Sequence, residues 1–457
     1  MNNLIALSGL GLIVLFSEIF SFKKLIRPIV LIGLAVALAF SIADWNVAAA
    51  YFNNMLVVDR YAAAFGVLLT GLTAVWYALF PAYFADDQNR VDRSALVVFA
   101  LIGALCMVSF NNMIMLFLGI EILSVSLYVL AGSEKLRLDS NEAALKYFLM
   151  GAFATGFLLF GIALTYGATG SFDLQVISQA VAANPSSSNM MLVSGLFMLL
   201  VAMVFKVSAA PLHFWAPDVY QGSPMPVTAF MSTVVKTAAF AAFFRLFFVA
   251  FSPLVGSWTL TLSVISGVTI LIGNVAAVAQ SNLKRMLAYS SVAHAGYLTM
   301  AVVAMNDQAS SSLFFYALAY SLSSLSAFSI LLIVSGANGI ETTEAFRGLA
   351  RKSPLLAALT VVSMLSLAGI PPTAGFFAKY FIFTSALASG HLFLVLIAVA
   401  GSLVGVYYYF RPLMALFSSA DDSKITINRP TTALLVLLAA ASLFFGMAPA
   451  WLTSIFS

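Results

Sequence analysis

Long apolar runs separated by short polar joints follow one another from end to end of this chain. A helix crossing a bilayer needs about 20 predominantly apolar residues, because the hydrocarbon core is about 30 Å thick and each residue rises about 1.5 Å. Fourteen stretches meet that requirement: 2–22, 28–45, 61–84, 94–110, 112–132, 141–168, 189–210, 224–250, 257–280, 285–305, 309–336, 354–388, 391–417 and 431–454. No joint between them is long enough for an extramembrane domain. Residues 1–457 are therefore expected to form one all-α polytopic membrane domain.

Two of the runs are interrupted. In the seventh, FKVSAAPLHFWAPDVYQGSPMPV places Pro211, Pro217, Pro224 and Pro226 just after Lys206. In the twelfth, SLAGIPPTAGFFAKY places Gly369, Pro371, Pro372 and Gly375 just before Lys379. Proline removes a backbone donor and clashes with the preceding turn, so each site frees carbonyls at or near membrane depth. Such backbone survives there only if it is buried in protein or lines a wet cavity. The interruptions lie five helices apart, and an odd offset reverses the direction of the second copy. This pattern predicts two inverted five-helix repeats, helices 4–8 over 94–250 and helices 9–13 over 257–417, with broken helices 7 and 12 at matching positions. Helices 1–3 (1–84) precede the repeats and helix 14 (431–454) follows them. Two unrelated proline kinks are the plainer alternative.

Basic residues orient the helices. No positive residue precedes the first helix, whereas Lys23, Lys24 and Arg27 follow it, the reverse of a cleavable signal. Joints after odd-numbered helices hold fifteen basic residues: those three, Arg90, Arg93, Lys135, Arg137, Lys284, Arg285, Arg347, Arg351, Lys352, Arg411, Lys424 and Arg429. The opposite joints hold only Arg60 and Arg245. The asymmetry predicts that both termini lie on the outer side. The lipid bilayer is thus one partner, and the formal charge of +4 reflects loop topology, with nothing to suggest nucleic-acid binding.

The chain is 62% hydrophobic and 8% charged, with mean hydropathy +1.03, which leaves few residues for chemistry. Cys106 stands alone, so it forms no intrachain disulfide and holds no iron–sulfur cluster. His213, His294 and His391 are scattered without a paired haem pattern, and no phosphate loop or dinucleotide fingerprint is present. The expectation is a chain with no metal, redox cofactor or nucleotide of its own.

Glu121, Lys146, Lys206, Lys236 and Lys379 interrupt apolar runs. A charge near mid-membrane costs roughly 2.5–3.5 kcal/mol, and its retention points by default to ion or proton movement. Glu121 lies midway along helix 5 with Ser124 and Tyr128 on its face at i+3 and i+7, and its partner must come from another helix. Lys236 stands near the centre of helix 8, too deep to snorkel easily, with Ser232, Thr233 and Thr237 around it. Lys206 and Lys379 flank the two breaks, where either a relay or simple snorkelling fits. Lys146 has Glu142 at i−4, the geometry of an ordinary helical pair. His294, mid-helix with Ser290, Ser291 and Tyr297 on one face, suits a proton relay, as does His213 in the broken segment, although satisfied core histidines fit as well. Tyr316, Tyr320 and Ser324 share a face of helix 11 and either pave a wet surface or pack.

The stretches that carry these residues resemble a known family. EILSVSLYVL (121–130), EAALKYFLMGAFATGFLLFG (142–161), FKVSAAPLHFWAPDVYQGSPMPVTAF (205–230), STVVKTAAF (232–240), NLKRMLAYSSVAHAGY (282–297) and LAGIPPTAGFFAKYFIF (367–383) are similar to the antiporter-like membrane subunits of respiratory complex I. STVVKTAAF and the lysine at 379 most resemble the subunit N branch. The M branch typically has glutamate at that position, and the long lateral helix of the L branch has no counterpart before the chain stops. The resemblance implies that Glu121 pairs with Lys206, that Lys236 is central to a proton path, and that Lys379 serves the opposite half-channel. It implies relay or connecting roles for His294 and His213 and a less settled one for Lys146. It further implies a subunit of NADH:quinone oxidoreductase in a bacterial inner membrane, packed against a neighbouring antiporter-like subunit and small membrane subunits. NADH, FMN, iron–sulfur clusters and quinone would then bind on partner subunits. The expected route is Glu121–Lys206, Lys236, then Lys379, with His294 and waters between. A subunit of a stand-alone monovalent cation/proton antiporter is the alternative, since it needs the same buried ions; an organic-solute transporter fits the lysine series less well.

Overall fold

A computed structural model describes residues 1–20, 22–86, 88–183, 189–338, 340–418, 425 and 427–453. Lys424, counted above on the basic side, lies outside them, as does residue 454 at the expected end of helix 14. Among the described residues, twelve helical stretches are long and apolar enough to span a membrane. The halves of the interrupted seventh and twelfth helices account for the other two of the expected fourteen.

The chain falls into two compact units. One comprises Met1–Val207, Gly222–Val227 and Val234–Thr261; the other comprises Ser208–Gln221, Thr228–Thr233 and Leu262–Ser457. The first contains α1 (Asn2–Ile19), α2 (Ile26–Ala43), α3 (Arg60–Leu79), α4 (Arg90–Ser109), α5 (Met113–Ala131), α6 (Leu138–Thr169), α7 (Leu174–Ala183) and α8 (Met190–Lys206). After the break come α9 (Trp215–Gly222), α10 (Met225–Phe230), a π-helical turn over Met231–Val235 and α11 (Lys236–Ala250). α12 (Val255–Val278) follows. The second unit then contains α13 (Leu283–Ala304), α14 (Ala309–Asn338), the one-turn α15 (Leu349–Lys352), α16 (Pro354–Ala368), α17 (Ala374–Ala388), α18 (Leu392–Leu416), α19 (Arg429–Met447) and the short α20 (Ala450–Thr453).

Within the first unit, α4 packs on α1, α3, α5 and α11, and α6 packs on α8. Membrane helices gain little from excluding water against each other, so close backbone approach at small residues drives their contact. α4 and α5 meet in this way at Gly103, where a Cβ would stand 2.6 Å from the Leu123 nitrogen and 2.7 Å from the Gly119 carbonyl.

Three helix ends fall well short of the hydropathic estimate, two of them because proline stops the helix before the apolar run does. α3 ends at Leu79 rather than 84: Phe80 precedes Pro81 and leaves the helical region, and Pro81–Phe84 form a 3-10 turn. α19 ends at Met447 ahead of Pro449 in the same way. α8 ends at Lys206 rather than 210, with Ser208 in the left-handed region at φ 58°. Two elements had no signal of membrane-spanning length. They are an antiparallel hairpin pairing Ala49–Tyr51 with Leu56–Val58, and the ten-residue α7, which buries Leu174, Ile177 and Val181.

Candidate functional site: two buried polar clusters at the helix breaks

The first cluster is built on α5, α6 and α8. Lys206 is the last residue of α8, and its Nζ donates to Ser124 Oγ on α5 at 2.7 Å. Ser124 is 2% exposed and its hydroxyl donates to the Ile120 carbonyl. One turn earlier on the same face, Glu121 Oε1 accepts from Thr155 Oγ1 of α6 at 2.7 Å. The break makes this possible: because α8 stops at Lys206, the side chain leaves the helix end sideways toward α5. Lys206 therefore does not snorkel to a surface. Thr155 was not singled out from sequence, since a lone threonine in an apolar helix carries no pattern.

Lys236 is 3% exposed and opens α11 directly after the π-helical turn. A π-turn widens the helix by one residue and leaves carbonyls poorly matched, and it recurs at functional positions. Ser232 Oγ and Thr233 Oγ1 both donate to the Ala229 carbonyl, at 3.0 and 2.7 Å, so these hydroxyls serve the widened backbone. Hydropathy reads through such a turn as continuous helix.

The second cluster is built on α12, α13, α14, α16, α17 and α18. α16 ends at Ala368 and Gly369 follows at φ +82°, a left-handed conformation natural to glycine. Lys379 Nζ donates to the Ala368 carbonyl at 2.7 Å and to Ser402 Oγ at 2.8 Å, and lies 5.4 Å from the Tyr297 ring centroid. The lysine thus caps the C-terminal end of the half-helix, whose last carbonyls have no intrahelical donor and carry partial negative charge. Gly369 is also the space the lysine occupies: a Cβ there would stand 2.7 Å from Lys379 Cδ.

At the far end of the polar string from Tyr297, the histidine is fully engaged. His294 Nδ1 bonds Tyr316 Oη at 2.7 Å and its Nε2 bonds Tyr409 Oη at 3.0 Å; Tyr409 also contacts Ser290. The Tyr409 ring lies tilted against that of Tyr408, their centroids 4.5 Å apart, and Tyr408 Oη donates to Asn274 Oδ1 at 3.0 Å. Asn274 Nδ2 donates to Tyr297 Oη at 3.2 Å, and Tyr297 faces Lys379. An almost continuous buried string thereby joins His294 to Lys379, every member of it 7% exposed or less. Sequence reasoning placed Ser290, Ser291 and Tyr297 on the His294 face and put Tyr316 and Tyr320 on a separate face of helix 11, which the structure brings against the histidine. It missed Asn274, Ser402, Tyr408 and Tyr409. The run Tyr407–Tyr409 in an apolar helix was the available signal.

Lys146 Nζ pairs with Glu142 at 2.7 Å, both side chains substantially exposed, in the expected i,i+4 geometry. His213 lies in the break between α8 and α9, half-buried, and its Nδ1 has no hydrogen-bond partner among the described residues. Sequence reasoning also missed two buried basic residues that had been counted as loop charges. Arg245 is 6% exposed and bonds Asp59 and, at 2.8 Å, the Val108 carbonyl. Lys284 is 2% exposed and donates to the Gln221 carbonyl at 2.8 Å, while neighbouring Arg285 pairs with Asp218 at 2.8 Å.

Residues 110–405 match the family model described as NADH:quinone oxidoreductase/Mrp antiporter, TM. The chain is 44% identical over 455 residues to NADH-quinone oxidoreductase subunit N of Cytophaga hutchinsonii, covering 98% of both. A chain of respiratory complex I from Thermus thermophilus, solved with bound aureothin, is 36% identical with a TM-score of 0.86, over 99% of this chain and 98% of that one. A chain of the Mrp complex from Dietzia sp. DQ12-45-1b has a TM-score of 0.87 at 21% identity, covering 99% and 95%, a likeness of fold alone.

Proposed function

The chain belongs to the antiporter-like subunit N family of NADH:quinone oxidoreductase, and from that premise we propose that its buried ionisable residues carry protons across the membrane arm. It is a multi-span, proton-translocating subunit of a bacterial respiratory complex whose partners are other complex I subunits. The stand-alone antiporter reading is not favoured, because the relatives of high identity are complex I subunits.

The observation that carries the site assignment is chemical. At each helix break a lysine is held by neutral hydroxyl or carbonyl oxygens, Lys206 by Ser124 and Lys379 by Ala368 and Ser402. A neutral partner holds an ammonium in place without cancelling its charge, so the proton stays exchangeable. Burial opposes the charged form of any amine, and an approaching carboxylate favours it. Movement of Glu121 against Lys206 therefore switches that lysine between proton capture and release. Driving one charge against 150 mV costs roughly 3.5 kcal/mol, by scaling the value for 100 mV. A proton-affinity swing of about 2.5–3 pKa units supplies it. Our route runs through Glu121 and Lys206, Lys236, then the His294–Tyr409–Tyr408–Asn274–Tyr297 string to Lys379. His213 and Lys146 have connecting roles.

The finer assignments belong to this reading too: a bacterial inner membrane, both termini outside, a neighbouring antiporter-like subunit and small membrane subunits at the flanks. NADH, FMN, iron–sulfur clusters and quinone sit on partner subunits. The test is coupled pumping by the assembled complex in proteoliposomes carrying Glu121→Ala or Lys236→Ala. Loss of proton uptake in complexes that still assemble is expected; wild-type uptake in both refutes the route.

A further inference from the structure

On the side where basic residues cluster, α4 packs against both α1 and α5, and a cavity of about 300 Å³ opens among them. It is lined by Leu15 of α1, by Arg93, Leu96 and Phe99 of α4, by Val129 of α5, and by Lys135 just beyond α5. Arg93 is 9% exposed. Its Nη1 donates to the Tyr83 carbonyl at 2.7 Å, its Nη2 to the Ser133 carbonyl at 3.3 Å, and the guanidinium lies 4.5 Å from the Tyr83 ring centroid. Its Nε has no hydrogen-bond partner, and no carboxylate lies within ion-pair distance of the guanidinium among the described residues, exposed Asp86 acting on it only from farther away. Carbonyl dipoles and a ring face orient a guanidinium but do not neutralise it, and a buried charge without a counter-ion is costly.

The surroundings point to an anion from outside the chain. Lys135 is exposed beside the cavity, and the adjacent Glu134 is taken up by Arg137 at 2.8 Å. Asp92 is the carboxylate on the lining, so two cations face one anion there. From Val129 an exposed apolar stripe continues along α5 through Val125, Ile122 and Leu118, one helical face leading away from the basic end toward mid-membrane, with exposed Leu15 and Leu12 on α1. A charged seat that opens onto a lipid-facing apolar track matches an amphiphile. Basic pockets between membrane helices on this side suit acidic headgroups.

The geometry points to a site for one anionic glycerophospholipid, its phosphate at Arg93 and Lys135 and an acyl chain along Leu118–Val129. A phosphate supplies the negative charge that the Arg93 guanidinium and the Lys135 ammonium lack, and charge-assisted contacts of this kind are strong. A zwitterionic headgroup brings its own cation and gains less.

The test uses the assembled complex, stripped of loosely held lipid, with Phe99→Trp as a reporter in the cavity. Brominated phosphatidylglycerol and brominated phosphatidylcholine are titrated separately and tryptophan quenching is compared with the complex lacking the reporter. Preferential quenching by phosphatidylglycerol, weakened about fivefold by adding Lys135→Gln, is expected from the weight of one basic residue at a membrane surface. Lys135 is exposed, so this variant keeps the test valid even where Arg93→Gln fails to fold. Equal quenching by the two lipids, or no effect of Lys135→Gln, overturns the site. So does displacement of the lipid by inorganic phosphate alone, which would make this a plain anion site, or crosslinking of a neighbouring subunit's segment at residue 99.

Discussion

Ser124 is the residue through which Lys206 is held, and Ser124→Ala removes that contact. The substitution removes one hydroxyl from a helix position that is 2% exposed, and alanine is a better helix former than serine, so α5 itself is not weakened. Lost with the hydroxyl is the 2.7 Å bond from Lys206 Nζ. A hydrogen bond to a charged group is worth about 1.5–3 kcal/mol, which converts to a roughly 10- to 150-fold shift of the lysine away from its seat beside Glu121. If proton capture depends on that seat, proton uptake per NADH oxidised falls in the assembled complex, while NADH oxidation in the presence of an uncoupler is retained. Ser126→Ala is the matched control: Ser126 lies on the same helix, is 4% exposed, and among the described residues its hydroxyl bonds the Ile122 carbonyl of that helix. The assay is quinone-coupled proton uptake in proteoliposomes, normalised to assembled complex. A Ser124→Ala enzyme indistinguishable from Ser126→Ala would refute the claim that Ser124 positions the lysine for transfer.

Two further outcomes follow from the same contacts. Tyr408→Phe removes the hydroxyl that donates to Asn274 at 3.0 Å and leaves the ring packing in place. Pumping should fall several-fold with assembly unchanged, and full pumping in both Tyr408→Phe and Asn274→Leu would remove the string from the route. Asp59→Asn keeps a good N-cap for α3 but cancels the charge facing Arg245. Because Asp59 is partly exposed, the cost is set at about 1–2 kcal/mol, below that of a fully buried pair. It should lower the thermal stability of the complex while protons moved per NADH stay the same; a changed ratio with unchanged stability would give the pair a role in transport.

Hydropathy alone determined the class of this protein, its spanning helices and the location of both breaks. A membrane admits only helices and closed barrels, continuous apolar runs of about 20 residues suit helices and not alternating barrel strands, and proline interrupts them at fixed places. The charges that would carry chemistry were equally legible: Glu121, Lys206, Lys236 and Lys379 stand out in apolar runs on cost alone. Their partners were not. Thr155, Ser402 and Asn274 are unremarkable residues on helices remote in sequence, and only packing brings their oxygens and amides against a lysine, a glutamate or a tyrosine. Arg245 and Lys284 read as loop charges from their position near helix ends, yet the fold buries both, because whether a terminal residue faces water or a neighbouring carbonyl depends on what packs beside it. The π-helical turn before Lys236 was invisible for a related reason. One extra residue in a turn leaves the apolar pattern unbroken, and only the backbone hydrogen bonds of the folded chain reveal it.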